Sequence, residues 1–225
     1  MPIVALASTK GGCGKSTTAL ILASAFTADG YTVHIIDADP SKRLVRWAAN
    51  GTLPSGLTVS AADHTTLRKA MDAAAAKADL VIIDVEGSAN FSLAIAAQIS
   101  DAVIIPANLS APDVEDAVAT VALIRDSAGV NSRPTPHGLL WSRVPPAIRS
   151  REIAALEDQI AESDIFVVGR IVERTAYKSL FSYNTTLANL PKGEVPGLDK
   201  ANAEAATLAA QVVALIQSTE RENAA

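Results

Sequence analysis

The densest chemistry in the chain lies in one run, Lys10-Gly11-Gly12-Cys13-Gly14-Lys15-Ser16-Thr17. It follows a short apolar stretch and precedes a helical pattern. In that context a glycine-rich loop aims successive backbone N–H groups, and the positive end of a helix, at one spot where a polyphosphate can sit. Gly11, Gly12 and Gly14 let the backbone curl and approach the anion. Lys15 then reaches the β- and γ-phosphates, the Ser16 hydroxyl ligates Mg²⁺, and Thr17 completes the phosphate-binding stretch. Cys13 reads as a small residue at a variable loop position. The run departs from the usual G-x-x-x-x-G-K-[ST] spacing: Thr9 stands at the first glycine position, and a second lysine, Lys10, stands inside the loop.

Two acidic segments fit the same chemistry. Asp37-Ala38-Asp39-Pro40 closes the second apolar run, where a parallel sheet presents its carboxyl edge to a ligand. A carboxylate there binds Mg²⁺ through water, orients an attacking water, or caps the next helix while Pro40 sets the turn. Leu80-Val81-Ile82-Ile83-Asp84 reads as a buried strand ending in an acid, so Asp84 is placed to hold Mg²⁺ with Ser16 as neighbour. His34, His64 and His137 are isolated from one another, and no Ser/His/Asp arrangement rises above background.

These residues need a sheet to hold them. Short β-branched runs alternate with longer helical patterns, which predicts a mostly parallel, twisted sheet of about seven strands with helices on both faces. The strands are expected at Ile3–Ala7, Thr32–Ile36, Leu57–Ser60, Leu80–Asp84, Ala102–Pro106, Gly138–Ser142 and Ile165–Val168. The helices are expected at Lys15–Asp29, Lys42–Ala49, Thr65–Lys77, Phe91–Gln98, Asp113–Ser127, Ser150–Glu162 and Asn202–Thr219. Ser110 and Asp113 have capping-box spacing. No repeat, low-complexity tract or domain linker is visible, so residues 1–225 read as a single α/β domain.

Composition narrows the classes. The chain has 225 residues, 49% apolar and 4% aromatic, which is enough for a core and excludes intrinsic disorder. No apolar run approaches the roughly 18–20 residues that cross a bilayer, and the N-terminal residues do not resemble a secretory signal. A cytoplasmic protein is expected. With one cysteine there is no internal disulfide. A net charge of −5 means that nucleic-acid binding has to come from a local basic face.

Lys-Gly-Gly-x-Gly-Lys-Ser/Thr with the extra lysine, Asp-x-Asp-Pro and the strand-Asp together resemble the deviant phosphate loop, Walker A′ and Walker B elements of the ParA/MinD superfamily of P-loop ATPases. The likeness is strongest over residues 3–113 and is closest to short ParA-type partition proteins, including the ParA-like T-DNA transfer helper. The resemblance implies a P-loop NTPase fold and an ATP- and Mg²⁺-dependent hydrolase in which Lys10, Lys15 and Asp39 serve catalysis. It implies that Lys10 crosses to the nucleotide of a second subunit, that Asp39 positions the hydrolytic water and that Asp37 joins the Mg²⁺ or water shell. It also implies adenine contacts at Ser142 and Arg143, and a dimer-face contribution from Pro112 and Asp113. Val85–Asn90 resembles the second switch loop but lacks its commoner Asp-x-Pro-Pro form, so Glu86 reads either as a switch residue or as a solvated acid.

By the same resemblance the chain is expected to dimerise on ATP, bind DNA without sequence preference and associate with the nucleoid when ATP-bound. A ParB-like or other adaptor would stimulate slow hydrolysis, and the cycle would position or segregate a plasmid, chromosome region or protein complex. The DNA face expected from the sequence is Arg170, Arg174, Lys178 and Lys192, which between residues 165 and 192 face only Glu173. The polar, slightly acidic tail argues against membrane attachment. The first glycine-rich loop begins too early to leave room for an N-terminal helix-turn-helix. Two alternatives stay open: a metabolic P-loop ligase or kinase acting on a small acceptor, and a nucleotide-gated interaction module.

Overall fold

In the computed structural model, which describes residues 1–85, 90–131, 135–146 and 150–223, seven strands form one sheet. These are β1 Ile3–Leu6, β2 Val33–Asp37, β3 Leu57–Ala61, β4 Leu80–Asp84, β5 Ala102–Asn108, β6 His137–Val144 and β7 Val167–Val172. Their order is β3-β2-β4-β1-β5-β6-β7, and every pairing is parallel. The expected sheet is therefore present. β1, β4 up to its closing Asp84, and most of β5 are apolar because both of their faces are covered.

The intervening helices are α1 Lys15–Ala28, α2 Arg43–Asn50, α3 Leu67–Ala75, α4 Asn90–Ile99, α5 Ala111–Asn131, α6 Arg151–Ala161, α7 Thr175–Ser182 and α8 Leu198–Asn223, with a 3-10 turn at Leu187–Asn189. Alternate side chains of β1 feed two cores. Val4 and Leu6 pack with α1, α2, α7 and α8, whereas Ile3, Ala5 and Ala7 pack with α3 to α6. α1 is buried from Thr18 to Ala25, so the helix that starts at the phosphate loop is fixed in the first core.

Two boundaries differ in a way that matters for the site. β7 was expected at Ile165–Val168, yet it runs to Val172, because Gly169 sits closely under Gln211 while Val168 and Ile171 are buried. α7 was not expected at all, although Ala176, Tyr177 and Leu180 repeat at helical spacing and are buried. α5 also extends to Asn131, past its expected end at Ser127. No described helix is long and apolar enough to cross a membrane.

Candidate nucleotide site

The loop between β1 and α1 is shaped by two left-handed glycines, Gly12 with φ 84° and Gly14 with φ 107°. A side chain at Gly14 would be strained by that backbone and would press on Ser142, 3.4 Å away. Lys15, the first residue of α1, is buried; its Nζ donates to the Lys10 carbonyl at 2.8 Å and lies 3.9 Å from Cys13 Sγ. At the loop entrance the Thr9 amide donates to Thr120 Oγ1 at 3.1 Å, and the Thr9 hydroxyl to the Asp116 carbonyl at 3.2 Å. A threonine at the usual glycine position thus ties the loop to α5.

The end of β4 meets the start of α1. Ser16 Oγ donates to Asp84 Oδ2 at 2.6 Å, and Asp84 Oδ1 is buried with no partner. Burial pushes the Asp84 carboxyl up to about 7; the Ser16 hydrogen bond opposes this, Asp37 adds repulsion, Lys15 opposes it again and Asp39 adds to it. A buried carboxylate oxygen without a partner, beside a hydroxyl, fits a hard divalent cation. No cage of three or more His, Cys, Asp or Glu side chains converges among the described residues. That suits Mg²⁺, which keeps waters and substrate phosphates in its shell.

Asp37 is the strand partner of Asp84, but its oxygens are committed to the backbone. Oδ2 accepts the amides of Leu44 at 2.9 Å and Val45 at 3.1 Å, and Oδ1 accepts that of Asp39 at 3.2 Å. Its hydrogen bonds make it the cap of α2 and support that role over the expected place in a metal shell. Asp39 is half-buried and accepts the Ser41 amide at 2.8 Å. Burial alone would raise its pKa, but hydrogen bonds from Ser41 and the nearby Lys15 and Arg43 charges hold it below the usual carboxylate range. It remains an ionised acceptor within electrostatic reach of Lys15 and Asp84.

Lys10 points away from its own loop. Its Nζ lies 3.2 Å from Asp113 Oδ2 and 3.8 Å from Asp116 Oδ2, with the lysine side chain 38% exposed and that of Asp113 only 7%. Asp113 also accepts from Ser110 Oγ at 2.5 Å and Asn108 Nδ2 at 3.0 Å. Burial raises the Asp113 carboxyl, and the bonds from Ser110, Lys10 and Asn108 outweigh it and keep it ionised. The expected capping pair at Ser110 and Asp113 is formed, and the same carboxylate anchors the extra lysine.

Beside the loop is a cavity of about 310 Å³ between α1, α7 and the end of β6, lined by Gly14, Thr17, Ile21, Arg143, Tyr177 and Phe181 among others. Its mixed apolar and polar walls next to the phosphate loop suit a nucleobase. The expected base contacts separate here. Arg143 is exposed, has φ 51° and lines the cavity. Ser142 also borders it, but its hydroxyl donates to the Cys13 carbonyl at 2.6 Å and lies 3.1 Å from Asn108 Oδ1, which braces the loop.

The four cations expected to face DNA lie on different elements. Arg170 on β7 pairs with Glu157 at 3.2 Å, and Lys178 on α7 with Glu173 at 2.6 Å, yet their side chains stay 59% and 70% exposed. Lys192 is exposed in the segment after the 3-10 turn. Arg174 turns inward: it grips Glu204 of α8 through Nε at 3.2 Å and Nη2 at 3.3 Å, and the Tyr177 hydroxyl donates to the same carboxylate at 2.7 Å. Burial and then Glu204 push the Tyr177 phenol up. Arg174 is a structural residue at the cavity wall. Glu86 lies outside the described residues. Sequence reasoning missed Asn108, Asp116 and Arg43 at this site; Asn108 had a signal in its place at the end of a strand, and Arg43 in its place three residues after Asp-x-Asp-Pro.

A family model described as VirC1 protein matches residues 1–217. Protein ParA of Rhizobium radiobacter is 32% identical over 192 residues, covering 84% of this chain and 86% of the relative. Among solved structures, apo McdA from Cyanthece superposes with a TM-score of 0.72 at 18% identity, covering 91% of this chain and 99% of the other. A putative plasmid partition protein from Borrelia burgdorferi B31 bound to AMPPNP superposes with a TM-score of 0.67 at 19% identity, covering 94% and 98%. At those identities the two structures share the fold.

Proposed function

The chain belongs to the VirC1 family of ParA-type P-loop ATPases, and from that premise we propose that it is an ATP-driven switch that positions or segregates a cargo. ATP would bind with its phosphates in the loop of residues 10–17 and its base in the cavity by Arg143, and Ser16 and Asp84 would hold Mg²⁺, which would supply charge neutralisation at the phosphates. The chain's own residues otherwise act by positioning. Lys15 orients the phosphates, and the ionised Asp39 carboxylate holds the attacking water. The likeness to Protein ParA of Rhizobium radiobacter, and the shared fold with a putative plasmid partition protein bound to AMPPNP, support the reading.

The observation that carries the switch is the placement of Lys10. A phosphate-loop lysine that served only its own nucleotide would turn inward as Lys15 does, whereas Lys10 is partly exposed and pairs with Asp113 and Asp116 of α5. From there it can engage the nucleotide of a second copy, so ATP brings two chains together. The dimer then holds duplex DNA through exposed cations, of which Arg170, Lys178 and Lys192 are the set left once Arg174 is removed. Exposed ion pairs such as Lys178–Glu173 hold only weakly and can be traded for phosphate. A ParB-like or other adaptor stimulates hydrolysis and releases the complex from the nucleoid.

The test is light scattering and DNA binding of the wild type, Asp39→Ala and Lys10→Ala with ATP or ADP. The expected result is an Asp39→Ala dimer with ATP that binds unrelated duplexes and weakens with salt, and a Lys10→Ala protein that binds ATP as a monomer. A Lys10→Ala protein that dimerises like the wild type would remove the argument, and turnover on a small acceptor without DNA would favour a ligase or kinase.

A further inference from the structure

The turn that carries Asp39 is fastened by a residue outside the phosphate-binding motifs. Lys42 has φ 49°, a left-handed backbone in which glycine is at ease and lysine is not. Its amide donates to the Asp39 carbonyl at 2.9 Å and closes the turn, and its own carbonyl accepts the Arg46 amide at 3.1 Å and opens α2. Its ammonium donates to the carbonyls of Asp37 at 3.1 Å and Ala62 at 2.5 Å. Those carbonyls lie at the carboxyl ends of the paired strands β2 and β3, and the Ala62 amide in turn donates to the Asp37 carbonyl at 3.1 Å. One side chain thus ties together two strand ends and the turn between β2 and α2.

We propose that Lys42 is a positioning residue for ATP hydrolysis, its ammonium holding the Asp39 turn against the ends of β2 and β3 so that the Asp39 carboxylate stays registered on the phosphate site. Glycine at this position would relieve the backbone, so the lysine is explained by what its ammonium does. Asp37, capping the first turn of α2, and Lys42, gripping the Asp37 carbonyl, brace the same segment from two directions. The backbone that presents Asp39 then has little freedom to shift, and small misplacements of a catalytic group cost rate out of proportion to their size. This rests on the reading of Asp39 as the group that holds the attacking water.

The experiment compares Lys42→Gly, Lys42→Arg and Asp39→Ala in steady-state ATP hydrolysis, with nucleotide affinity and melting temperature measured on the same preparations. Lys42→Gly removes the ammonium while easing the backbone, so the fold is not taxed by the change. Its kcat is expected to fall about tenfold with KM for ATP and the melting temperature essentially unchanged. Lys42→Arg, whose guanidinium can span two carbonyls, is expected to recover most of the rate. Full activity of Lys42→Gly beside an inactive Asp39→Ala would overturn the proposal and leave the hydrolytic reading standing. So would a loss of rate, affinity and melting temperature together that arginine does not rescue. An active Asp39→Ala would instead remove the premise, and Lys42 with it.

Discussion

The carboxyl ends of β2 and β4 and the junction of β7, α7 and α8 treat charge in opposite ways. At the junction Arg174, Tyr177 and Glu204 satisfy one another, and Arg170 and Lys178 each meet a carboxylate. At the strand ends Asp84 is buried with an oxygen that has no partner, and Asp39 stays ionised beside it. Native interiors leave few buried polar groups unpaired, and those exceptions call for an explanation. The difference therefore separates a region built for stability from one built to receive a ligand, although both are charged.

Substitutions can break this contrast, starting with the largest effect. Asp84→Asn should lower Mg²⁺-dependent ATP hydrolysis by about a hundredfold or more, yet thermal denaturation of the ligand-free protein should show it more stable by about 1 kcal/mol, because an incompletely compensated buried charge is gone. At the junction the signs reverse. Glu204→Ala leaves the Arg174 guanidinium and the Tyr177 hydroxyl without their acceptor and should cost about 2–3 kcal/mol in urea unfolding, with nucleotide affinity changed far less than stability. Lys10→Ala should cost under about 1 kcal/mol of monomer stability, as expected of a partly exposed ion pair. Lys178→Ala should move stability by no more than about 0.5 kcal/mol while reducing the salt dependence of DNA binding measured by fluorescence anisotropy. A stability loss of Glu204 size at Lys178 would erase the distinction between gripped and exposed cations.

What could be read from the residues follows the same division. The loop at 10–17, the acid closing β4 and the central strands are local or strongly apolar, and β4 lies where the alternation places it, at Leu80–Asp84. Long-range partnerships were not legible. The residues around Asp37 left its carboxylate open between a metal shell and a cap of the next helix, and the choice of the Leu44 and Val45 amides depends on the turn between them, set by the left-handed Lys42. Ser142 stands at the expected strand end, but its bond to the Cys13 carbonyl joins residues 129 positions apart. Arg174 looked like one of several surface cations because its partner Glu204 lies 30 residues on, in a helix that had been expected to start only at Asn202.

The place of β1 in the sheet has a consequence for how the molecule is made. This first strand is flanked by β4 and β5, with Val4 opposite Ile82 on one side and Ala102 on the other. The nascent N-terminus therefore has no finished slot until about a hundred residues have followed it, roughly 5–20 s at ordinary ribosome speeds. The brace from Asn108 and Ser142 to the phosphate loop is later still. A chain interrupted before β6 would carry every residue of the phosphate loop without the Ser142 bond that braces it.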